Sequence, residues 1–190
     1  MLRTTLALTA LLLLAACTAQ PDGHADHTHP AASPSGSASQ APSGGFSDTD
    51  VAYVQLAIPQ DETALPVLEL AKTREGVDPA LVALVTEVET GHHDELDKLR
   101  EALSDAGQTY LNLHDGHDMP GMVTADELDK LAKATGQAFD DQLRTLLRAH
   151  FEESTTVAKS ELAAGSSPEV LEVTRNIETS RASYLTKLGT

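Results

Sequence analysis

The residues of this 190-residue chain best suited to chemistry stand close together near its middle, in the run His114-Asp115-Gly116-His117-Asp118-Met119-Pro120-Gly121-Met122. Two imidazoles three positions apart are followed by two thioethers three positions apart around a Pro-Gly pair. Met119 and Met122 are the only methionines besides Met1. Imidazole suits copper or zinc, and thioether selects Cu(I) among the common ions. A type II turn at Pro120-Gly121 would bring the two methionines together, with Asp115 and Asp118 adding charge nearby. The same residues fit a structural turn whose methionines rest on the end of a domain, methionine being an adaptable filler. From the sequence both readings stand open.

A second candidate is the short tract His24-Ala25-Asp26-His27-Thr28-His29, preceded by Asp22. Short histidine-rich tracts hold Cu(II), Ni(II) or Zn(II) loosely, which suits capture or relay better than storage.

The elements that must position these groups follow from composition. Thirteen basic residues against 29 acidic ones give a net charge of −16. That balance offers no electrostatic footprint for nucleic acid and disfavours lying flat on anionic lipid. Aromatic residues make up 3% and tryptophan is absent, so a core must come from Leu, Val, Ile and Ala, which points to helices. At the N-terminus Arg3 precedes an apolar run from Leu6, shorter than the roughly 20 residues a membrane span needs. Residues 1–16 therefore read as a secretory signal peptide. Leu14-Ala15-Ala16-Cys17 resembles the bacterial lipobox, in which the signal is cut before a cysteine that then carries acyl chains. Cys17 is the only cysteine, so no intrachain disulfide can form. The expected location is the extracytoplasmic face of the cell membrane, held there by the lipid anchor. Residues 17–45 are rich in Pro, Ser, Gly and Ala and predict a disordered tether reaching on the order of 30 Å.

Residues 46–190 have the size of one domain. Asp78 and Pro79, and again Ser167 and Pro168, supply an N-cap followed by proline at the first helical position. Thr124 and Glu127 form a capping box for a short helix, with Gly136 as its expected stop, and Gly165 is placed to close a long helix beginning near Gln137. An internal repeat underlies these signals. Asp78–Leu99 and Ser167–Leu188 align without a gap, sharing the proline, an aliphatic-Glu-Thr triplet and a final Leu-x-Lys-Leu. The segments from Ile58 and from Arg148 pair as well. Two helical hairpins, 48–105 and 137–190, joined by a linker at 106–136, predict an all-α four-helix bundle with a short linker helix.

Helical spacing then locates the apolar seams. Leu81, Val85, Val88, Leu96, Leu99 and Leu103 share a face with His92. Phe139, Leu143, Leu146 and Val157 share one with His150, and Val170, Ile177, Leu185 and Leu188 share one with Arg181, the repeat partner of His92. His92 and His150 could thus face each other, with Asp61, Glu62 or Glu152 supplying oxygen ligands. The other reading is a buried polar network in which Asp61 or Glu95 satisfies a histidine and a carboxylate pairs with Arg181. Glu89, His93 and Asp97 read as a solvated helix face.

Ile58-Pro59-Gln60-Asp61-Glu62-Thr63-Ala64-Leu65, the run from Met119 through Asp140, Arg148-Ala149-His150-Phe151-Glu152-Glu153 and the two proline-started helices carry a resemblance. The chain is similar to the bacterial family known only as domain-of-unknown-function three-hundred-and-five, over nearly everything after Phe46. The resemblance implies secreted ferritin-like four-helix bundles linked mainly to metal handling, copper above all. It also implies an Ile-x-His-His pair opening each repeat. Here Gln60 and Asp61 replace the first pair, and His150 is kept beside Phe151.

No glycine-rich phosphate loop and no nucleophile–base arrangement is present in the sequence, so a catalytic role is not expected. The expected function is an exported lipoprotein that binds or buffers a transition metal, with copper the expected ion. Its candidate ligands are His114, His117, Met119, Met122, the tail histidines His24, His27 and His29, and secondarily His92 and His150. The alternative is a non-catalytic interaction or structural lipoprotein with an unidentified protein partner.

Overall fold

The computed structural model describes residues 45–189. The expectations placed on 1–16, on Cys17 and on His24, His27 and His29 lie outside the described residues, as does all of the tether but Gly45. Among the described residues there are five helices and no strand: α1 (Asp48–Thr73), α2 (Pro79–Asp105), α3 (Ala125–Lys133), α4 (Gln137–Ala164) and α5 (Pro168–Leu188). The fold is all-α.

The helices begin where local chemistry satisfies their first N–H groups. Ser47 and Asp50 form a capping box at α1, and Thr124 and Glu127 form one at α3. Asp78 accepts from the Ala80 amide, and Ser167 from the Val170 amide, each with proline at the first helical position. Gly136 does not close α3, as its sequence position suggests. That helix ends at Ala134 in extended backbone, and Gly136, at φ +55°, opens α4, its carbonyl accepting from the amides of Phe139 and Asp140. A positive φ at this position is cheap only for glycine.

The hairpins α1–α2 and α4–α5 pack side by side, with α1 against α4 and α2 against α5. Helices α1 and α5 therefore lie on one diagonal of the bundle, and α2 and α4 on the other. Two apolar cores fill the bundle. One takes Val67, Leu68, Val85, Val88, Leu143, Leu147, Phe151 and Tyr184; the other takes Val54, Ile58, Leu96, Leu99, Ala158, Val170 and Ile177. On every long helix the switch from one core to the other is marked by a buried polar residue: Asp61, His92, His150 with Ser154, and Arg181. A polar layer thus divides the apolar interior.

Two seam positions differ from the sequence pattern. Val157 is half-buried and Ala158 is fully buried in its place; Leu185 is half-buried and Tyr184 takes the interior position. Each shift is one residue, about 100° around the helix. Tyr184 goes inward because its ring stacks on Phe151, centroids 5.3 Å apart.

Candidate metal centre

The two bundle diagonals cross at the polar layer. Along one, His92 of α2 and His150 of α4 bring their Nε2 atoms to 2.9 Å. Along the other, Arg181 of α5 donates from Nη2 to Asp61 Oδ1 of α1 at 2.8 Å. Asp61 Oδ1 lies 3.6 Å from His92 Nε2 and 3.8 Å from His150 Nε2. Among the described residues this is the group of three His, Cys, Asp or Glu side chains whose ligand atoms all fall within 4.8 Å of one another. All three residues are at most 2% exposed.

Backbone position makes this convergence possible. Pro59 and Pro66 stand inside α1 on either side of Asp61 and remove two ladder donors, yet the helix continues through them. The linker covers the site from above. Met119 to Met122 form a turn closed by the Met122 amide on the Met119 carbonyl at 3.1 Å, with Gly121 at φ +76°. A glycine with positive φ after proline fits the type II turn expected at Pro120-Gly121. The turn is fastened to α1 by Val123 N donating to Thr63 Oγ1 at 3.2 Å, and to α4 by the Gly121 carbonyl, 2.9 Å from His150 Nδ1.

The hydrogen bonds fix the tautomer of His150 and leave two neutral forms for His92. A carbonyl only accepts, so His150 Nδ1 carries its proton and Nε2 presents a lone pair towards His92. If His92 donates from Nε2, its Nδ1 becomes a bare acceptor facing Glu95 Oε2 at 3.6 Å, and no partner satisfies that atom. If His92 carries the proton on Nδ1, two lone pairs confront each other at 2.9 Å. Either neutral arrangement leaves an uncompensated buried lone pair. A cation between the Nε2 atoms resolves both, with Nδ1–H of His150 on Gly121 and Nδ1–H of His92 turned to Glu95. That is the outer-shell pattern of metal-ligating histidines.

Electrostatics agree. Burial, and then the neighbouring Arg181 guanidinium, push His150 down to about 3 and His92 well below the usual imidazole range. Both rings are therefore neutral, the form that ligates metal. Burial pushes the Asp61 carboxyl well above the usual carboxylate range although Arg181 pulls it down, and its Oδ2 has no partner. Asp61 thus has a strong demand for a proton or another cation.

The dimensions fit an ion. A tetrahedral centre with ligand distances of about 2.1 Å has ligand–ligand edges of about 3.4 Å. The triangle formed here has edges of 2.9, 3.6 and 3.8 Å. Separating the two rings by a few tenths of an ångström completes one face of such a tetrahedron.

The other sequence candidates fall elsewhere. Glu62 pairs with Arg100 at 2.6 Å, and Glu152 is exposed, so neither reaches the centre. Glu95 and Arg181 form the expected ion pair, Arg181 Nη2 reaching Glu95 Oε2 at 2.7 Å. The network reading and the ligand reading describe the same cluster. His117 is exposed, while His114 is half-buried beside Val51, Ala52 and Gln55 near the start of α1. Met119 and Met122 are half-buried on the turn that covers the centre. On the adjacent face of α2, His93 and Asp97 are exposed and Glu89 pairs with Lys72.

Sequence reasoning missed a second buried polar joint. Asp50, at the start of α1, accepts from Ser47 Oγ, Ser47 N, Ser166 N and Ser167 N. Beside it Glu161, 1% exposed, has no partner on either oxygen except as a neighbour of Asp50. Glu161 follows His150, Ser154 and Ala158 on one buried face of α4 at spacings of three and four, the signal that could have found it.

A four-helix bundle with two histidines and a carboxylate converging between its helices has the kinds of side chain that bundles use to hold a metal between helices. Residues 50–190 match the family described as domain of unknown function DUF305, and the chain belongs to that family. No curated protein matches it in sequence. Among solved structures it is similar to a DUF305 fragment from Deinococcus radiodurans, at 16% identity and TM-score 0.66, covering 76% of this chain and 95% of that one. It is also similar to CopM in its Cu(I)-bound form, at 18% identity and TM-score 0.62, over 73% and 91% of the two chains. CopM in its Cu(II)-bound form gives 19% and 0.64, over 73% and 92%. These likenesses establish the shared fold.

Proposed function

We propose that this protein binds a transition-metal ion at the centre of its bundle, through His92 Nε2, His150 Nε2 and Asp61, and that the ion is copper. The observation that carries the reading is the buried pair of imidazole nitrogens 2.9 Å apart with no neutral arrangement of protons that satisfies both rings. Copper is favoured by two further facts. Met119 and Met122 lie on the turn whose Gly121 carbonyl orients His150, and thioether is a ligand for Cu(I). A Cu(I)-bound and a Cu(II)-bound protein share the fold.

The role is binding and buffering rather than catalysis, in an exported protein tethered through Cys17. In this reading the tail histidines and the linker histidines His114 and His117 are capture points, and the buried centre is the holding site. This reverses the ranking that sequence alone suggested. The test is titration with Cu(I) and Cu(II), using the full-length chain with His24, His27 and His29 replaced by Ala. Tight binding lost in Asp61→Asn and His150→Ala, and kept in a His114→Ala/His117→Ala variant, supports the reading. Equal binding in all variants overturns it.

A second reading, a protein-interaction module, is favoured by Leu111 and Leu113, which are 56% and 65% exposed in the linker. Large apolar side chains so exposed and so close together suit a contact surface.

A further inference from the structure

The internal repeat aligns His92 of α2 with Arg181 of α5, so an arginine stands where the second hairpin would place the counterpart imidazole. Its side chain is fully buried, at 0% exposure. Every direction of its guanidinium is used: Nε donates to Ser154 Oγ at 3.1 Å, Nη1 to Glu95 Oε1 at 3.1 Å, and Nη2 to both Glu95 Oε2 and Asp61 Oδ1. It therefore shares the oxygen atom that Asp61 offers to the two imidazoles. A guanidinium stays charged under all ordinary conditions.

The charge of the layer follows. A metal's ligands bind it deprotonated, Asp61 as carboxylate and the two imidazoles as neutral rings, so the liganded layer sets two carboxylates, Asp61 and Glu95, against the one guanidinium that both accept from. The cluster has room for one further unit of positive charge before it becomes a buried net cation. A singly charged ion brings the layer to neutrality, whereas a doubly charged ion leaves one positive charge in excess, in a site closed to water. Unbalanced buried charge is costly. The position that repeat symmetry reserves for a second set of ligands is also filled, so a second ion has no ligands and meets a fixed positive charge.

We infer that Arg181 is the specificity determinant of this centre, an internal fixed cation that limits it to one metal ion and biases it towards a singly charged one. The inference rests on the metal-binding reading above. Arg181 acts through Asp61 and the field it imposes, and is a positioning residue rather than a ligand.

The experiment compares Cu(I) and Zn(II) affinities, each by competition with a chromophoric chelator, in the full-length chain with the three tail histidines replaced by Ala. Arg181→Gln removes the charge, Arg181→Lys keeps it, and Glu95→Gln removes one opposing charge while keeping the three ligands and an amide oxygen to face His92 Nδ1. The expected result is a rise in Zn(II) affinity relative to Cu(I) of at least about ten-fold in Arg181→Gln, since one unit charge about 4 Å away is worth roughly five-fold in water and roughly a thousand-fold at the effective dielectric of a protein interior. Arg181→Lys should leave the ratio unchanged, and Glu95→Gln should move it the other way. A purely structural role would weaken both metals alike in Arg181→Gln and Arg181→Lys, and that outcome overturns the inference. Should Arg181→Gln fail to fold by circular dichroism, Glu95→Gln decides: no shift of the ratio towards Cu(I) overturns the inference equally. Absence of binding in the parent chain, or its persistence in Asp61→Asn, overturns the metal reading itself. A changed affinity with an unchanged ratio leaves that reading standing and removes only the role of Arg181.

Discussion

His92 and His150 meet across the diagonal of the bundle with their Nε2 atoms 2.9 Å apart, although 58 residues and the whole linker separate them in the chain. Each ring's far nitrogen is directed at a protein oxygen, Glu95 for His92 and the Gly121 carbonyl for His150. Orientation of the His150 ring is therefore fixed from outside the pair, while His92 Nδ1 faces Glu95 without a hydrogen bond.

Gly121 is the first place to test that orientation. It adopts φ +76°, and a Cβ there would stand 2.7 Å from Glu153 Cβ. Gly121→Ala is expected to lower stability by about 1–2 kcal/mol, from the left-handed backbone alone. Displacing the carbonyl that holds His150 is expected to weaken metal binding by about 10–100-fold, the usual effect of losing an outer-shell partner. Chemical denaturation and metal competition on the same variant check the two effects separately.

The joint at the other end of the bundle predicts a pH dependence. Burial, and then the proximity of Asp50, push Glu161 up from 4.5 to about 8. Asp50 is itself held below the usual carboxylate range, burial being outweighed by its donors from Ser47 and Ser167. A carboxyl whose folded value lies above its unfolded value binds more protons when folded, so stability falls as pH rises between the two. Its stabilising contribution is complete below about 4.5 and gone once pH has passed about 8. Thermal unfolding of Glu161→Gln should lose this decline between those limits, relative to the wild type. An identical pH profile in both proteins would contradict it.

Much of the fold was legible in the sequence because the signals were local. Asp78-Pro79, Ser167-Pro168 and the Thr124–Glu127 box each announce a helix start within four residues, and the repeat supplied the hairpin pairing. Gly136 was misjudged because glycine serves a helix start and a helix stop alike, and only its φ distinguishes them. The centre was partly legible. His92, His150 and Arg181 interrupt apolar stripes, which fixes the face they point to but not the height at which the four helices align. That height selects Asp61 over Glu62, one residue along the chain. The roles of Gly121 and Ser154 depend on a backbone carbonyl and a small hydroxyl brought close by packing, and nothing in their own sequence neighbourhood signals them.

The capping box of the linker helix gives a prediction independent of metal. Thr124 Oγ1 accepts from the Glu127 amide, and the Glu127 carboxylate accepts from the Thr124 amide. Thr124→Ala should cost about 1 kcal/mol in global stability if α3 unfolds together with the bundle. A loss in amide hydrogen-exchange protection confined to Ala125–Lys133, without any change in global stability, would show instead that α3 opens on its own.

The most direct test of the central claim is to observe the histidine ring nitrogens by nuclear magnetic resonance while one equivalent of Cu(I) is added anaerobically. The chain for this carries Ala at His24, His27 and His29. The account predicts that Nε2 of His92 and Nε2 of His150 shift together, with saturation at one ion per chain, while His114, His117 and His93 keep their positions. Shifts at His114 and His117 with the buried pair unmoved would contradict it, and would return the metal to the linker.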